Sequence, residues 1–104
     1  MRMPNLVPSQ GLVIIYIKSD WCADCAHSDV YWPYIEKMYP RATCLRINRD
    51  DMPEVTERFK PEGVPAYIVY QDSHEIARYD DKQRKTFEQV KTFLDTAIAK
   101  GSDR

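Results

Sequence analysis

An unbroken apolar run at residues 12–17, Leu-Val-Ile-Ile-Tyr-Ile, constrains the fold more than any other feature of the chain. Its β-branched side chains favour a strand, which we place at residues 11–18. A strand with one face in water alternates apolar and polar residues, and this run does not alternate. The run therefore predicts a strand that is buried on both faces, as in the middle of a covered sheet.

The rest of the chain alternates helical and extended patterns, judged by the spacing of apolar residues and by turn and capping residues. The predicted elements after the first strand are a helix at 23–39, a strand at 42–48, a short helix from residues 50–54 to 60, strands at 66–70 and 75–79 joined by a four-residue turn, and a helix at 84–99. Pro33 lies inside the first helix and predicts a kink there. This order predicts an α/β fold with a mixed sheet of about four strands and helices on both faces.

Length and charge limit the classes of protein to which the chain can belong. Of its 104 residues 43% are hydrophobic, which is enough for one domain over residues 1–104 with a core at about 11–99. The 15 basic and 16 acidic residues give a net charge of -1, so no global field favours nucleic acid. No apolar run approaches the ~20 residues that span a bilayer. We expect neither nucleic acid nor a membrane as partner, and we expect a monomer.

Two of the three cysteines are spaced Cys-x-x-Cys, at Cys22 and Cys25. An odd number of cysteines argues against a secreted disulfide framework, and residues 1–10 contain no signal-like apolar segment, so we expect a cytoplasmic setting. In a reducing compartment the Cys-x-x-Cys spacing indicates either thiol catalysis or metal binding.

The cysteine pair falls at the predicted start of the first helix, because Ser19 and Asp20 just before it are capping residue types. The positive end of a helix stabilises a thiolate, which is the reactive form of cysteine. Cys22 is therefore the candidate nucleophile. Cys25, three residues later on the same helical face, is the candidate resolving thiol.

The alternative is a zinc site in which Cys44 and either His27 or His74 join the cysteine pair. We assign no metal, because the predicted strand around Cys44 favours a small buried hydrophobe there. The chain has only three glycines and no nucleotide-binding loop, so no bound cofactor is expected.

Residues 20–25, Asp-Trp-Cys-Ala-Asp-Cys, follow the buried strand, and residues 63–65, Gly-Val-Pro, precede the hairpin. With these motifs the chain resembles the thioredoxin superfamily over about residues 11–99, in particular its small bacterial thioredoxin-like members. The resemblance implies a thioredoxin-like fold. The N-terminus would be shortened, because the ten residues before the first strand leave no room for the usual strand and helix.

The resemblance also implies an enzyme, a dithiol-disulfide oxidoreductase that reduces protein or small-molecule disulfides and serves cell redox homeostasis. Cys22 and Cys25 would be its catalytic residues. Trp21, the backbone of Val64 and a cis Pro65 would bind the substrate. Electrons would come from a thioredoxin reductase, and the chain itself would hold no cofactor.

The sequence departs from typical thioredoxins near the cysteines. Tyr16 stands where thioredoxins bury an aspartate that helps deprotonate the resolving thiol, which leaves a water, Asp20 or Asp24 as the proton acceptor. Asp20 and Asp24 also place negative charge beside the nucleophile and disfavour its thiolate, while Lys18 offsets them in part. Residues 80–82, Asp-Asp-Lys, replace a segment that normally contributes a glycine to substrate docking.

These departures keep two alternative functions open. One is a thioredoxin-fold binding module whose cysteines are idle or bind a metal, which the loss of the buried acid and of the docking glycine favours. The other is a glutaredoxin-type reductase that depends on glutathione. It is disfavoured because no Gly-Gly pair follows the hairpin to hold the carboxylate of the tripeptide.

Overall fold

The computed structural model describes residues 7–102, which form a four-stranded mixed sheet covered by helices. The elements in chain order are β1 (Leu12–Lys18), α1 (Ala23–Met38), β2 (Thr43–Asn48), α2 (Pro53–Phe59), β3 (Ala66–Gln71), β4 (His74–Tyr79) and α3 (Phe87–Ser102). The sheet order is β2-β1-β3-β4, in which β1 and β2 are parallel and the other pairs are antiparallel. The predicted fold class is confirmed. None of the helices in this range is long and apolar enough to cross a membrane.

The central position of β1 explains its unbroken apolar sequence. β1 pairs with β2 on one side and β3 on the other, and its residues 13–17 are fully buried. Ile14 and Tyr16 belong to a core cluster that includes side chains of α1 and α3. The alternate residues of β1 pack in a second cluster with Phe59 of α2. Helices therefore cover both faces of the strand, as the apolar run predicts.

The turn between β3 and β4 is shorter than the sequence predicted. Gln71 and His74 pair with each other, so the loop has two residues, and the predicted four-residue turn was wrong. The two loop residues, Asp72 and Ser73, have positive φ angles of 52° and 70°, as in a type I′ turn. The loop lacks the usual glycine and is held instead by the segment before β1. The N–H of Gly11 donates to the Asp72 carboxylate at 2.7 Å, and the Asp72 N–H donates to the Gly11 carbonyl at 3.0 Å.

The last helix also differs from its predicted bounds, because α3 begins at Phe87 rather than at residue 84 and continues to Ser102 rather than to 99. Thr86 and Gln89 form a capping box that fixes the start. The Gln89 N–H donates to Thr86 Oγ1 at 3.1 Å, and the Thr86 N–H donates to Gln89 Oε1 at 2.9 Å.

A buried lysine holds the loop that leads into α3. The side chain of Lys85 is fully buried, and its Nζ donates to the Asp81 carboxylate at 3.0 Å. The same Nζ donates to the carbonyls of Asp81 and Gln83, at 2.8 and 3.0 Å, and lies 4.8 Å from the centre of the Tyr79 ring. Three charge-assisted hydrogen bonds therefore converge on one buried ammonium group.

Replacing Lys85 with methionine, which has a similar volume, is expected to lower the free energy of unfolding by about 2–3 kcal/mol, because these hydrogen bonds are lost. Urea denaturation measures the change. Lys91 is a matched control, since it also pairs with an aspartate four residues away but is half exposed. Lys91→Met should change the free energy of unfolding by less than about 0.5 kcal/mol. Equal effects of the two substitutions would contradict the role given to the buried lysine.

Candidate active site

Cys22 lies between β1 and α1, as the N-cap residue of the helix. Its carbonyl oxygen accepts a hydrogen bond from the N–H of Ala26 at 3.1 Å, and its Sγ accepts one from the N–H of Cys25 at 3.1 Å. Sγ therefore takes the place of the usual capping oxygen and faces the positive end of the helix. The predicted start of the helix at the cysteine pair is confirmed.

The two thiols lie in different environments. Cys22 is partly exposed, whereas Cys25 is fully buried. Burial raises the pKa of the Cys25 thiol to about 12, and its hydrogen bond with Cys22 adds to the rise. A large substrate can therefore reach Cys22, while Cys25 stays protonated and sequestered at neutral pH.

The loop that carries Trp21 is fixed to the end of β2. The Ser19 hydroxyl and the Asp20 N–H both donate to Asp50 Oδ2, at 3.1 and 2.8 Å. The Asp20 carboxylate accepts a hydrogen bond from the Asn48 amide at 2.7 Å. Trp21, held next to the nucleophile by this loop, is 93% exposed. A large exposed aromatic residue at this point suits contact with a substrate.

The Val64–Pro65 peptide bond is cis, as the resemblance implied. The carbonyl oxygen of Val64 lies 3.7 Å from Sγ of Cys22, and the next residue, Pro65, is buried. The structure thus brings the nucleophile and the Val64 backbone together, from positions 42 residues apart in the chain. Substrate contacts by Trp21, Val64 and Pro65 stay predictions.

The loop between β4 and α3 forms one rim of the site. Arg84 of this loop pairs with Asp24, with Nε 3.0 Å from Oδ1, so a cation lies beside the acid between the two cysteines. Lys82 packs so closely on Gly63 that a side chain at residue 63 would overlap it. The loop therefore borders the Val64 segment. Arg84 was not predicted as a site residue, because no neighbouring residue in the sequence indicates that its partner is Asp24.

Lys18 does not pair with Asp20 or Asp24, the acids that it was expected to offset. Its Nζ lies 2.7 Å from Oδ2 of Asp29. The Tyr16 hydroxyl donates to Oδ1 of Asp29 at 3.0 Å. Asp29 was not among the site residues predicted from the sequence. The signal that could have revealed it is its helical spacing, four residues after the resolving cysteine.

The third cysteine lies apart from this site. Cys44 on β2 is partly buried and packs against the core cluster of α1 and α3, which agrees with its interpretation as an apolar packing residue. Burial raises the pKa of its thiol to about 11, and the charge of Glu36 contributes to the rise. Within residues 7–102, no three histidine, cysteine or acidic side chains are arranged to hold a metal ion.

Comparison with known protein families gives one match that covers most of the chain. The sequence model of the thioredoxin family matches residues 4–96. A thioredoxin H-type of Fagopyrum esculentum is 26% identical over 70 residues, which are 67% of this chain and 60% of that protein. Glutaredoxin-3 of Homo sapiens is 22% identical over 72 residues, which are 69% of this chain and 22% of that protein. The chain therefore spans less than two thirds of the length of these two relatives.

Solved structures show the same architecture. Mitochondrial thioredoxin 3 of Saccharomyces cerevisiae, in its oxidized form, superposes with a TM-score of 0.72. The superposition covers 88% of this chain and 84% of the yeast chain, at 16% sequence identity. At this identity the likeness is evidence for the fold alone.

Proposed function

This chain belongs to the thioredoxin family, and on that basis we propose that it is a dithiol-disulfide oxidoreductase. One observation supports this proposal more strongly than any other. A partly exposed Cys22 caps α1 with its own Sγ, and a buried Cys25 follows three residues later, hydrogen bonded to that sulfur through its N–H. This is the arrangement that an attacking thiol and a resolving thiol require.

The reaction needs two thiol exchanges. The Cys22 thiolate attacks one sulfur of the substrate disulfide, forms a mixed disulfide and displaces the other sulfur as a thiolate. The Cys25 thiolate then attacks Sγ of Cys22, and the bond from Cys22 to the substrate breaks. The second substrate sulfur leaves as a thiolate and takes up a proton. The substrate gains two electrons, and the chain is left with a Cys22–Cys25 disulfide.

The surface beside Cys22, where the Val64 carbonyl oxygen lies 3.7 Å from Sγ, suits an extended substrate segment. We expect such a segment to pair with the backbone of Val64, in the way that extended peptides pair with exposed backbone groups. Trp21 would cover the segment from the opposite side and Pro65 would bound it. Protein disulfides and small disulfides are both included in the proposed substrate class.

We also propose the reducing direction, in a cytoplasmic setting, with a thioredoxin reductase as electron donor. The odd number of cysteines supports this setting, because secreted disulfide frameworks use even numbers. Members of the thioredoxin family act on disulfides and are usually reduced by such a reductase. Thiol exchange carries the electrons by itself, so the proposal includes no bound cofactor.

A redox titration of the Cys22/Cys25 pair tests the proposal. We expect a reversible two-electron transition at roughly -230 to -280 mV in a dithiol buffer, followed by Trp21 fluorescence in a Cys44→Ser background. The Trp21→Phe variant shows whether the fluorescence change comes from Trp21, because its only remaining tryptophan is the buried Trp32. A transition at about -120 to -180 mV would mean a thiol oxidant or isomerase instead. The absence of any transition would favour the binding module over the enzyme.

A further inference from the structure

Residues from β1 hold the carboxylate of Asp29 beside the resolving cysteine. Asp29 follows Cys25 by four residues on α1, so the two side chains are neighbours on one face of the helix. The Tyr16 hydroxyl lies 3.0 Å from the Cys25 carbonyl oxygen and 3.0 Å from Oδ1 of Asp29. Lys18 Nζ lies 2.7 Å from Oδ2. Each carboxylate oxygen therefore lies within hydrogen-bond distance of a donor from β1, and the Tyr16 hydroxyl also contacts the Cys25 backbone.

The second exchange step requires a base at this place. Cys25 must react as a thiolate, yet it is fully buried and burial raises the pKa of its thiol to about 12. At neutral pH almost every such thiol keeps its proton. The proton must therefore pass to a group fixed within reach, directly or through one water, as the attack begins.

Within residues 7–102, the charged and titratable groups that act on Cys25, on Asp29 or on the Tyr16 hydroxyl between them include Cys22 before α1, Lys18 of β1, Arg46 of β2, Tyr67 of β3 and Tyr31 of α1. None of these groups is a carboxylate. Burial raises the pKa of the Tyr16 phenol far above neutrality, so it cannot serve as the base. Asp20 and Asp24 pair with Asn48 and Arg84. Of these three acids, only Asp29 shares a partner, the Tyr16 hydroxyl, with the backbone of Cys25.

We propose that Asp29 accepts the proton of the Cys25 thiol in the resolving step, and that Tyr16 and Lys18 position it. The inference rests on the proposed function and assigns the proton transfer within it. The S–H bond of Cys25 breaks, its proton passes to the Asp29 carboxylate, and its electron pair forms the bond to Sγ of Cys22. The substrate sulfur leaves as a thiolate. The Asp29 side chain is 26% exposed, so it can return the proton to solvent.

Reaction with dithiobis(nitrobenzoate) separates the two steps, because each step releases one coloured thionitrobenzoate. Attack by Cys22 releases the first and closure by Cys25 releases the second. In a Cys44→Ser background, Asp29→Asn should leave the first release unchanged and slow the second about 100-fold at neutral pH. In this variant the rate of the second release should rise about tenfold per pH unit. In the parent this rate should stay nearly constant between about pH 6 and 8.

Asp95 provides a matched control, because it too accepts hydrogen bonds from a tyrosine hydroxyl and a lysine, both at 2.7 Å, but lies on α3. Asp95→Asn should change the rate of neither release. Asp29→Glu should restore part of the rate of the second release. Equal second rates and equal pH profiles for the parent and Asp29→Asn would overturn the assignment to Asp29. If the parent itself gave no second release, the proposed function would fail before the question of Asp29 arose.

Discussion

Replacing Cys22 with serine is expected to reduce the rate of disulfide reduction by at least about 10³-fold, to the level of the external reductant alone. Cys22 is the thiol of the pair that is open to substrate, and its Sγ alone receives the hydrogen bond at the start of α1. A serine hydroxyl can replace Sγ as a helix cap, so the fold should persist. It does not ionise at neutral pH and cannot form a mixed disulfide. Reduction of insulin by dithiothreitol, followed by the turbidity of the released chains, measures the loss.

Cys44→Ser is the matched control for this experiment, since it also replaces a partly buried cysteine with serine. It should keep the parent rate, because Cys44 lies apart from the cysteine pair and packs against the core cluster of α1 and α3. Equal losses in the two variants would mean that folding, not chemistry, was affected. Full activity of Cys22→Ser would contradict the assignment of the nucleophile.

The elements that the sequence predicted well are those whose signal is local. The run at residues 12–17 has no charged side chain and does not alternate with polar residues, so its burial on both faces followed from composition alone. The cysteine pair lay next to capping residues, and this placed it at the start of a helix. In both cases the residues that carry the signal are the residues that form the element.

The elements that the sequence misplaced depend on partners elsewhere in the chain or on hydrogen bonds that compete with periodicity. The two-residue turn at Asp72 and Ser73 adopts positive φ without glycine because Gly11, 61 residues away, binds its carboxylate. The start of α3 follows the capping box at Thr86 rather than the first helix-forming residue of the segment. Turn and helix propensities alone do not reveal these contacts.

The site shows the same division between local and distant information. Spacing predicted the nucleophile and the resolving thiol, whereas the partners of the charged residues depended on which strand or loop lay opposite them. Lys18 was expected to offset the acids beside the nucleophile but pairs with Asp29, because α1 covers the face of the sheet on which Lys18 lies. Arg84 reaches Asp24 across 60 residues of chain. A charge next to a motif in sequence is therefore weak evidence about its partner.

Replacing Cys25 with serine is expected to stop the reaction after the first exchange and to trap the mixed disulfide. Cys22 keeps its hydrogen bond from the backbone N–H of residue 25, so its attack on the substrate should continue at the parent rate. Resolution then depends on an external thiol. The lifetime of the mixed disulfide should increase at least about 10³-fold with millimolar thiol, because well-oriented intramolecular groups act at far higher effective concentrations.

Intact-mass measurement of the Cys25→Ser variant after incubation with glutathione disulfide detects the trapped mixed disulfide. The protein should carry one glutathione in disulfide linkage, and the double variant Cys22→Ser with Cys25→Ser should carry none, which assigns the adduct to Cys22. A Cys44→Ser background removes the third thiol from the measurement. If the Cys25→Ser protein released glutathione as fast as the parent, the buried thiol would not be the resolving group. The buried position of Cys25 and its proton acceptor would then require another explanation.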